Sequence, residues 1–261
     1  MPKGRVGFRK RLDSLRIATL AGIPQVRPQT QDTALVYLEH GLLYNRIKKS
    51  GNSSIVFYLR DILSKTGEDS AGDYRHDKKS AVGAGRKLTE LSVFELRRVR
   101  SVYAFTIFRN PYTRCLSAFL SKRQKWEAGS EKYKDVDGFE ENSPEGFAAF
   151  VRFLEKGGLY HDKHFWPQVE LLMCPPDYFA RIGQLENLES ELNSICRYAG
   201  VEVPAASISN QPHEADQAYE GKVTGANAKV RQYYSDALYD RVYRLYEQDF
   251  HIGGYDPAWR P

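Results

Sequence analysis

Leu42-Leu43-Tyr44-Asn45-Arg46-Ile47-Lys48-Lys49-Ser50-Gly51-Asn52-Ser53-Ser54 is a short apolar run that ends in a basic Gly/Ser turn. Leu42 to Ile47 suits a strand. From Ser53 to Leu63 the residues Ile55, Tyr58, Leu59 and Ile62 recur at helical spacing and fall on one stripe. Between the two, Gly51 lets the backbone turn tightly and approach a ligand oxygen without a Cβ in the way. The first turn of the helix carries free N–H groups and the positive end of the dipole, so this junction is an anion site. Lys49 places an ammonium at its mouth, and Ser53 and Ser54 offer hydroxyl donors.

The pattern repeats about sixty residues on, in Phe105-Thr106-Ile107-Phe108-Arg109-Asn110-Pro111-Tyr112-Thr113-Arg114-Cys115-Leu116-Ser117. Ser101 to Phe108 alternates and is rich in β-branched and aromatic residues, which predicts a buried strand. Arg109 ends it, Pro111 suits a first helical position, and Tyr112 to Trp126 continues as a helix. Ser117 lies eight residues beyond Arg109, about two helical turns, so both can face the strand end. Two such junctions in one domain imply a ligand with two separated anionic groups. A nucleotide kinase of the Walker type is a competing reading. Its Gly-Lys-Ser/Thr step and magnesium-binding pattern are missing, because here the Lys precedes the Gly.

Taken as an ordered pair, Lys49-x-Gly51-x-Ser53-Ser54 and Arg109-Asn110-Pro111-Tyr112-x-Arg114-x-x-Ser117-Ala118-Phe119 resemble the sulfotransferases. These enzymes use 3′-phosphoadenosine-5′-phosphosulfate (PAPS) as donor and release 3′-phosphoadenosine-5′-phosphate (PAP). The closer resemblance is to the carbohydrate branch, sulfotransferase family 2, which includes the chondroitin and dermatan enzymes. His164-Phe165-Trp166-Pro167-Gln168 is similar to that branch's His-Trp-x-Pro-Gln segment, and Tyr178 through Leu188 to one of its strands. Tyr233-Tyr234-Ser235 through Phe250, then Gly254-Tyr255, is similar to its closing helix and Phe-Gly-Tyr end. The resemblance spans residues 40 to 256. It departs from the family's pattern at Lys48, where Pro is usual, and at Asn52 and Ser53, where Ser or Thr pairs are commoner.

The resemblance implies an α/β, P-loop-like three-layer fold with a central, mostly parallel sheet flanked by helices. It implies that Lys49, Ser50, Gly51, Asn52, Ser53 and Ser54 hold the 5′-phosphosulfate, and that Arg109 and Ser117 hold the 3′-phosphate. The expected reaction is in-line sulfuryl transfer to a carbohydrate hydroxyl, with Lys49 stabilising the bridging oxygen and no metal. A base is also needed, and His suits it. His164 is the first candidate, followed by His161, then His213 and His40, with Glu39 and Glu186 as carboxylate alternatives. Lys222 and Lys229 are candidate contacts from the loop before the final helix.

Composition sets the frame. The chain of 261 residues, 41% hydrophobic with mean hydropathy −0.56, fits one globular domain over residues 34–261. Residues 1–33 form a basic N-terminal arm, with seven Lys/Arg against one acid before residue 31. It is either mobile or a short helix lying on the domain, with a peripheral membrane contact open to it. No run approaches the roughly 20 apolar residues that span a bilayer. Cys115, Cys174 and Cys196 cannot all pair, which favours a reducing cytoplasm and a bacterial form of the enzyme. Cys115 and Cys196 read as core residues. Ser64 to Lys87, 127–142 and 203–228 read as long surface loops, and Ser143 as the N-cap of a helix from Pro144. Net charge of +5 and a pI near 8.9 suit an anionic donor; no nucleic-acid motif appears. His161 and His164 lie three apart with no third ligand nearby, so no metal site is expected. A sulfotransferase for a small phenol, lipid or peptide, and a non-catalytic nucleotide- or glycan-binding relative, remain the alternatives. Sequence gives no oligomeric state.

Overall fold

The computed structural model describes residues 7–63, 85–200 and 225–261. His213, Lys222 and most of the first and third predicted loops lie outside them. Four strands, β1 Ala34–Tyr37, β2 Leu42–Asn45, β3 Tyr103–Phe108 and β4 Arg181–Gln184, form one sheet in the order β1-β2-β3-β4. β1 runs antiparallel to β2, with Tyr37 opposite Leu42. β2, β3 and β4 are parallel, pairing Leu42 with Tyr103 and Phe105 with Arg181. The sheet is therefore mostly parallel.

The pleat sorts the side chains to two faces. Leu35, Tyr37, Leu42, Tyr44, Phe105 and Ile107 point to one face, which is covered by helices α2 (Asn52–Leu63) and α7 (Leu188–Tyr198). Ala34, Val36, Leu43, Ala104 and Phe108 point to the other. That face is covered by α1 (Phe8–Ala21), α3 (Val93–Arg98) and α6 (Gln168–Leu171), with Met173, Cys174 and Phe179. The result is helix on sheet on helix, with β1, β2 and β3 buried on both sides, which is why these strands read as near-continuous apolar runs, while β4 at the sheet's edge is only partly buried. A third apolar cluster joins α4 (Pro111–Glu127), α5 (Pro144–Glu155), α8 (Ala226–Tyr233) and α9 (Asp236–Gly253) around Phe119, Phe147 and Phe150.

Helix starts follow local chemistry. Asn110 caps α4 by accepting from the Tyr112 N–H at 3.0 Å, with Pro111 in the first turn. Ser143 caps α5 by accepting from Gly146 at 3.1 Å. α1 lies on the domain, with Ile17 and Ala21 in the sheet's second core. Three strands are shorter than the apolar patterns imply, β2 ending at Asn45 instead of Ile47. Ser101 and Val102 still belong to the turn that follows α3, where the Val102 N–H bonds back to Val99. Around β4, residues 176–178 and 185–187 form 3-10 turns, so the strand keeps only four residues. Cys115, Cys174 and Cys196 are buried and unpaired.

Candidate active site

Because β2, β3 and β4 are parallel, their carboxyl ends share one edge of the sheet, where ligands of open α/β sheets bind. The turn after β2 enters α2 through two left-handed residues, Lys49 (φ 66) and Gly51 (φ 61). A Cβ on Gly51 would stand 2.5 Å from Leu185 Cδ1, just beyond β4, so glycine is needed for both space and conformation. Lys49 holds an unfavoured conformation for a side-chain-bearing residue, costing about 1 kcal/mol. Two bonds, one to the neighbouring strand and one to the residue just beyond it, support the turn. Ser50 Oγ, fully buried, donates to the Ile107 carbonyl at 2.8 Å, and Arg109 Nη1 donates to the Lys49 carbonyl at 3.4 Å.

Arg109 is gripped from several sides. Its Nε donates to Thr113 Oγ1 at 3.0 Å and its Nη2 to Asn227 Oδ1 at 2.6 Å, at the start of α8. Its main-chain N–H donates to Gln168 Oε1 at 2.9 Å, and Gln168 Nε2 donates back to its carbonyl at 2.9 Å. Gln168 is held in turn by Asp249 of α9. That fully buried carboxylate accepts from the N–H groups of Gln168 (2.7 Å) and Val169 (3.0 Å). Burial lifts the Asp249 carboxyl to about 6 despite the Arg114 cation and these bonds. Glu186 accepts from the Asn110 N–H (2.9 Å) and from Tyr255 Oη (2.8 Å), which fixes the start of α4 and the C-terminal segment together. It orients this junction.

Cations crowd the same edge. Burial, then Arg109, Lys122, Arg114 and Lys125, bring Lys49 down to about 7. Burial, then Lys125, Lys132 and Lys48 against the pull of Asp162, brings Lys122 to about 8. Arg109 falls to about 10, chiefly through burial. Lys48 is also lowered by burial and by Arg46. Arg114 is buried, donates from Nε to the Lys48 carbonyl at 3.0 Å, and leaves Nη2 without a hydrogen-bond partner. Like charges forced together and partly dried are unfavourable alone and favourable around an anion.

His164 sits beside this field. Its Nδ1 and main-chain N–H both meet Asp162 Oδ1, at 2.5 and 2.7 Å. Asp162 also accepts from Tyr133 Oη at 2.8 Å and pairs with Lys132. Burial would raise the Asp162 carboxyl, but the bonds from His164 and Lys132 outweigh it and the group is held well below the usual range. Burial, and the nearby Lys122 and Lys48, lower His164 to about 4 against the pull of Asp162. The imidazole is thus neutral at pH 7, with the carboxylate fixing Nδ1 as its protonated nitrogen.

The other base candidates are placed elsewhere. His40 precedes β2 and so lies at the opposite edge of the sheet, its Nε2 bonded to the Leu63 carbonyl at 3.0 Å. Glu39 is on the same turn and pairs with Arg98 at 3.3 Å. His161 Nε2 meets the Lys132 carbonyl at 2.8 Å, its ring packed among Tyr133, Phe153 and Phe165. Ser53 and Ser54 stand in the first turn of α2, after Asn52, and Ser117 is buried on α4. Lys229 is exposed on α8. Sequence reasoning missed Asp162, Asp249 and Lys122. Asp162 had a signal, its spacing of two residues before His164. Asp249 and Lys122 had none, since they read as ordinary helix residues.

Comparison with known proteins gives a consistent picture. Residues 32–256 match the model of the sulfotransferase family designated Sulfotransfer_2. Carbohydrate sulfotransferase 10 of Xenopus laevis is 27% identical over 251 residues, covering 86% of this chain and 67% of that protein. No solved structure matches the chain.

Proposed function

The chain belongs to the sulfotransferase family, and on that premise we propose that it moves a sulfuryl group from PAPS to a hydroxyl of a carbohydrate. The observation that carries this reading is the cluster of cations around Lys49 at the carboxyl edge of the sheet: half-buried Arg109 and buried Arg114 and Lys122 each depress the half-buried Lys49. A donor with phosphate groups at both ends of a nucleoside fits it. The Arg114 Nη2 without a partner and the bare Gly51 cradle are features an anion would satisfy.

When bound, PAPS supplies an activated sulfuryl group whose departure leaves charge on a phosphate oxygen. In this reading Lys49 stands where that charge develops, and its lowered pKa makes it able to hold or yield a proton near neutrality. N–H groups and hydroxyls from Gly51 to Ser54 would hold the 5′-phosphate, and Arg109 with Ser117 the 3′-phosphate. His164 Nε2 would take the acceptor's hydroxyl proton while Asp162 keeps Nδ1–H in place. A pKa of about 4 makes the free imidazole a weak base. Donor anions beside Lys48 and Lys122 would cancel part of the field that depresses it, so base strength would rise when the donor is present.

The carbohydrate acceptor is supported by the similarity to the Xenopus carbohydrate sulfotransferase and by the His164–Gln168 segment. Incubation with radiolabelled PAPS and a panel of oligosaccharides, phenols, lipids and peptides tests it. Label in an oligosaccharide, lost in Lys49→Ala and His164→Ala, is the expected result. Label only in another class would reassign the acceptor, and PAP binding without any transfer would make the chain a binding protein.

A further inference from the structure

Helix α1 has two apolar faces. Ser14, Ile17 and Ala21 face the core. Phe8, Leu12 and Leu15 follow at helical spacing, about half a turn away around the helix. These three are 77%, 50% and 64% exposed. α3 packs on α1 and adds Phe94 and Val93, 77% and 42% exposed. Five of the seven large apolar side chains exposed among the described residues therefore lie on two touching helices. Chance scatter does not place them so.

Charge brackets the stripe. Around α1, Arg9 and Arg16 fall on one flank of Phe8, Leu12 and Leu15, and Arg11 on the other. The two helices carry six basic residues against two acidic ones, Asp13 and Glu95; Glu95 is paired with Arg86, Lys10 with Asp32 and Arg98 with Glu39, and outside those pairs stand Arg9, Arg11, Arg16 and Arg97. Phe8 and Phe94 project outward. Projecting aromatics ringed by long arginines suit a surface that is soft, apolar beneath and anionic on top.

We propose that the α1–α3 face docks the protein on an anionic lipid bilayer, with Phe8, Leu12, Leu15 and Phe94 in the acyl boundary and Arg9, Arg11 and Arg97 at the headgroups. The helix lies in the interface and crosses nothing; no described helix is long and apolar enough to span a membrane. The proposal rests on this face alone, so its test is independent of sulfuryl transfer.

Sedimentation of the full chain with phosphatidylcholine vesicles, with and without phosphatidylglycerol, tests it. The expected result is binding to the anionic vesicles only, weakened by salt and reduced roughly tenfold or more in the double variant Phe8→Ser/Phe94→Ser. Arg9→Glu/Arg11→Glu should reduce it similarly, with circular dichroism and melting midpoint unchanged in both variants. Equal binding to neutral vesicles, or no binding to either, would overturn the proposal. So would a concentration-dependent dimer abolished by Phe8→Ser/Phe94→Ser, which would show that a second copy covers the face.

Discussion

Gln168 and Arg109 exchange two hydrogen bonds of 2.9 Å, side-chain amide to main chain in both directions. The amide thus mimics a strand neighbour and holds the first residue beyond β3 in register, while Asp249 holds Gln168 itself. Gln168→Ala removes both bonds, which costs about 1–3 kcal/mol of stability. It is expected to raise KM for PAPS about tenfold with a smaller change in kcat. Gln168→Glu keeps the acceptor for the Arg109 N–H but sets a buried carboxylate oxygen against the Arg109 carbonyl, so it should not recover the loss. Steady-state kinetics decide it; unchanged donor KM in Gln168→Ala would mean that Arg109 is positioned without it.

Gly51 carries two separate demands, a left-handed φ of 61 and a close approach to Leu185. Gly51→Ala should destabilise the fold by about 1–2 kcal/mol and weaken nucleotide binding. In Gly51→Ala/Leu185→Ala the steric part is relieved and the conformational part persists. Thermal unfolding of the three variants would show this. A double variant no better than the sum of the singles contradicts the assigned contact.

Lys49 and Lys122, near 7 and 8, are largely or half neutral at pH 8 in the free protein. An anion beside them raises both pKa values, so the bound state holds more protons than the free state. PAP binding at pH 8 should therefore take up protons, and affinity should fall as pH rises from 7 through 9. Calorimetry in buffers of different ionisation enthalpy measures the uptake directly. Proton release on binding would refute the assignment.

His164 titrates near 4 because burial and the Lys122 and Lys48 charges outweigh Asp162. Neutralising those cations with PAP should move it upward, and Asp162→Asn should move it further down. NMR titration of the imidazole with and without PAP reads both shifts. A fall in the His164 pKa on adding PAP would contradict the arrangement.

What was legible in the sequence was local. The β2–α2 and β3–α4 units declared themselves through apolar period, a glycine turn and Pro111 at the helix start, and α5 through its Ser143-Pro144 cap, all set by residues within a few positions of each other. The Lys49–Gly51 turn and Arg109 were visible for the same reason, and the fold joins them by the Arg109–Lys49 and Ser50–Ile107 bonds. What was hidden was long-range. Asp249 meets Gln168 across 81 positions and Asn227 meets Arg109 across 118. Lys122 is a solvent-type residue in any helical pattern, and only the packing of Tyr133 and its neighbours buries it. The four-residue β4 was too short for its apolar pattern to mark its ends.

The most direct test of the donor site is calorimetric titration of the full chain with PAP, against AMP and ATP, without metal and then with magnesium. Tight, metal-independent binding of PAP, weakened at least tenfold in both Lys49→Ala and Arg109→Ala, is the predicted result. Preference for ATP with magnesium, or no binding of any nucleotide, would contradict it.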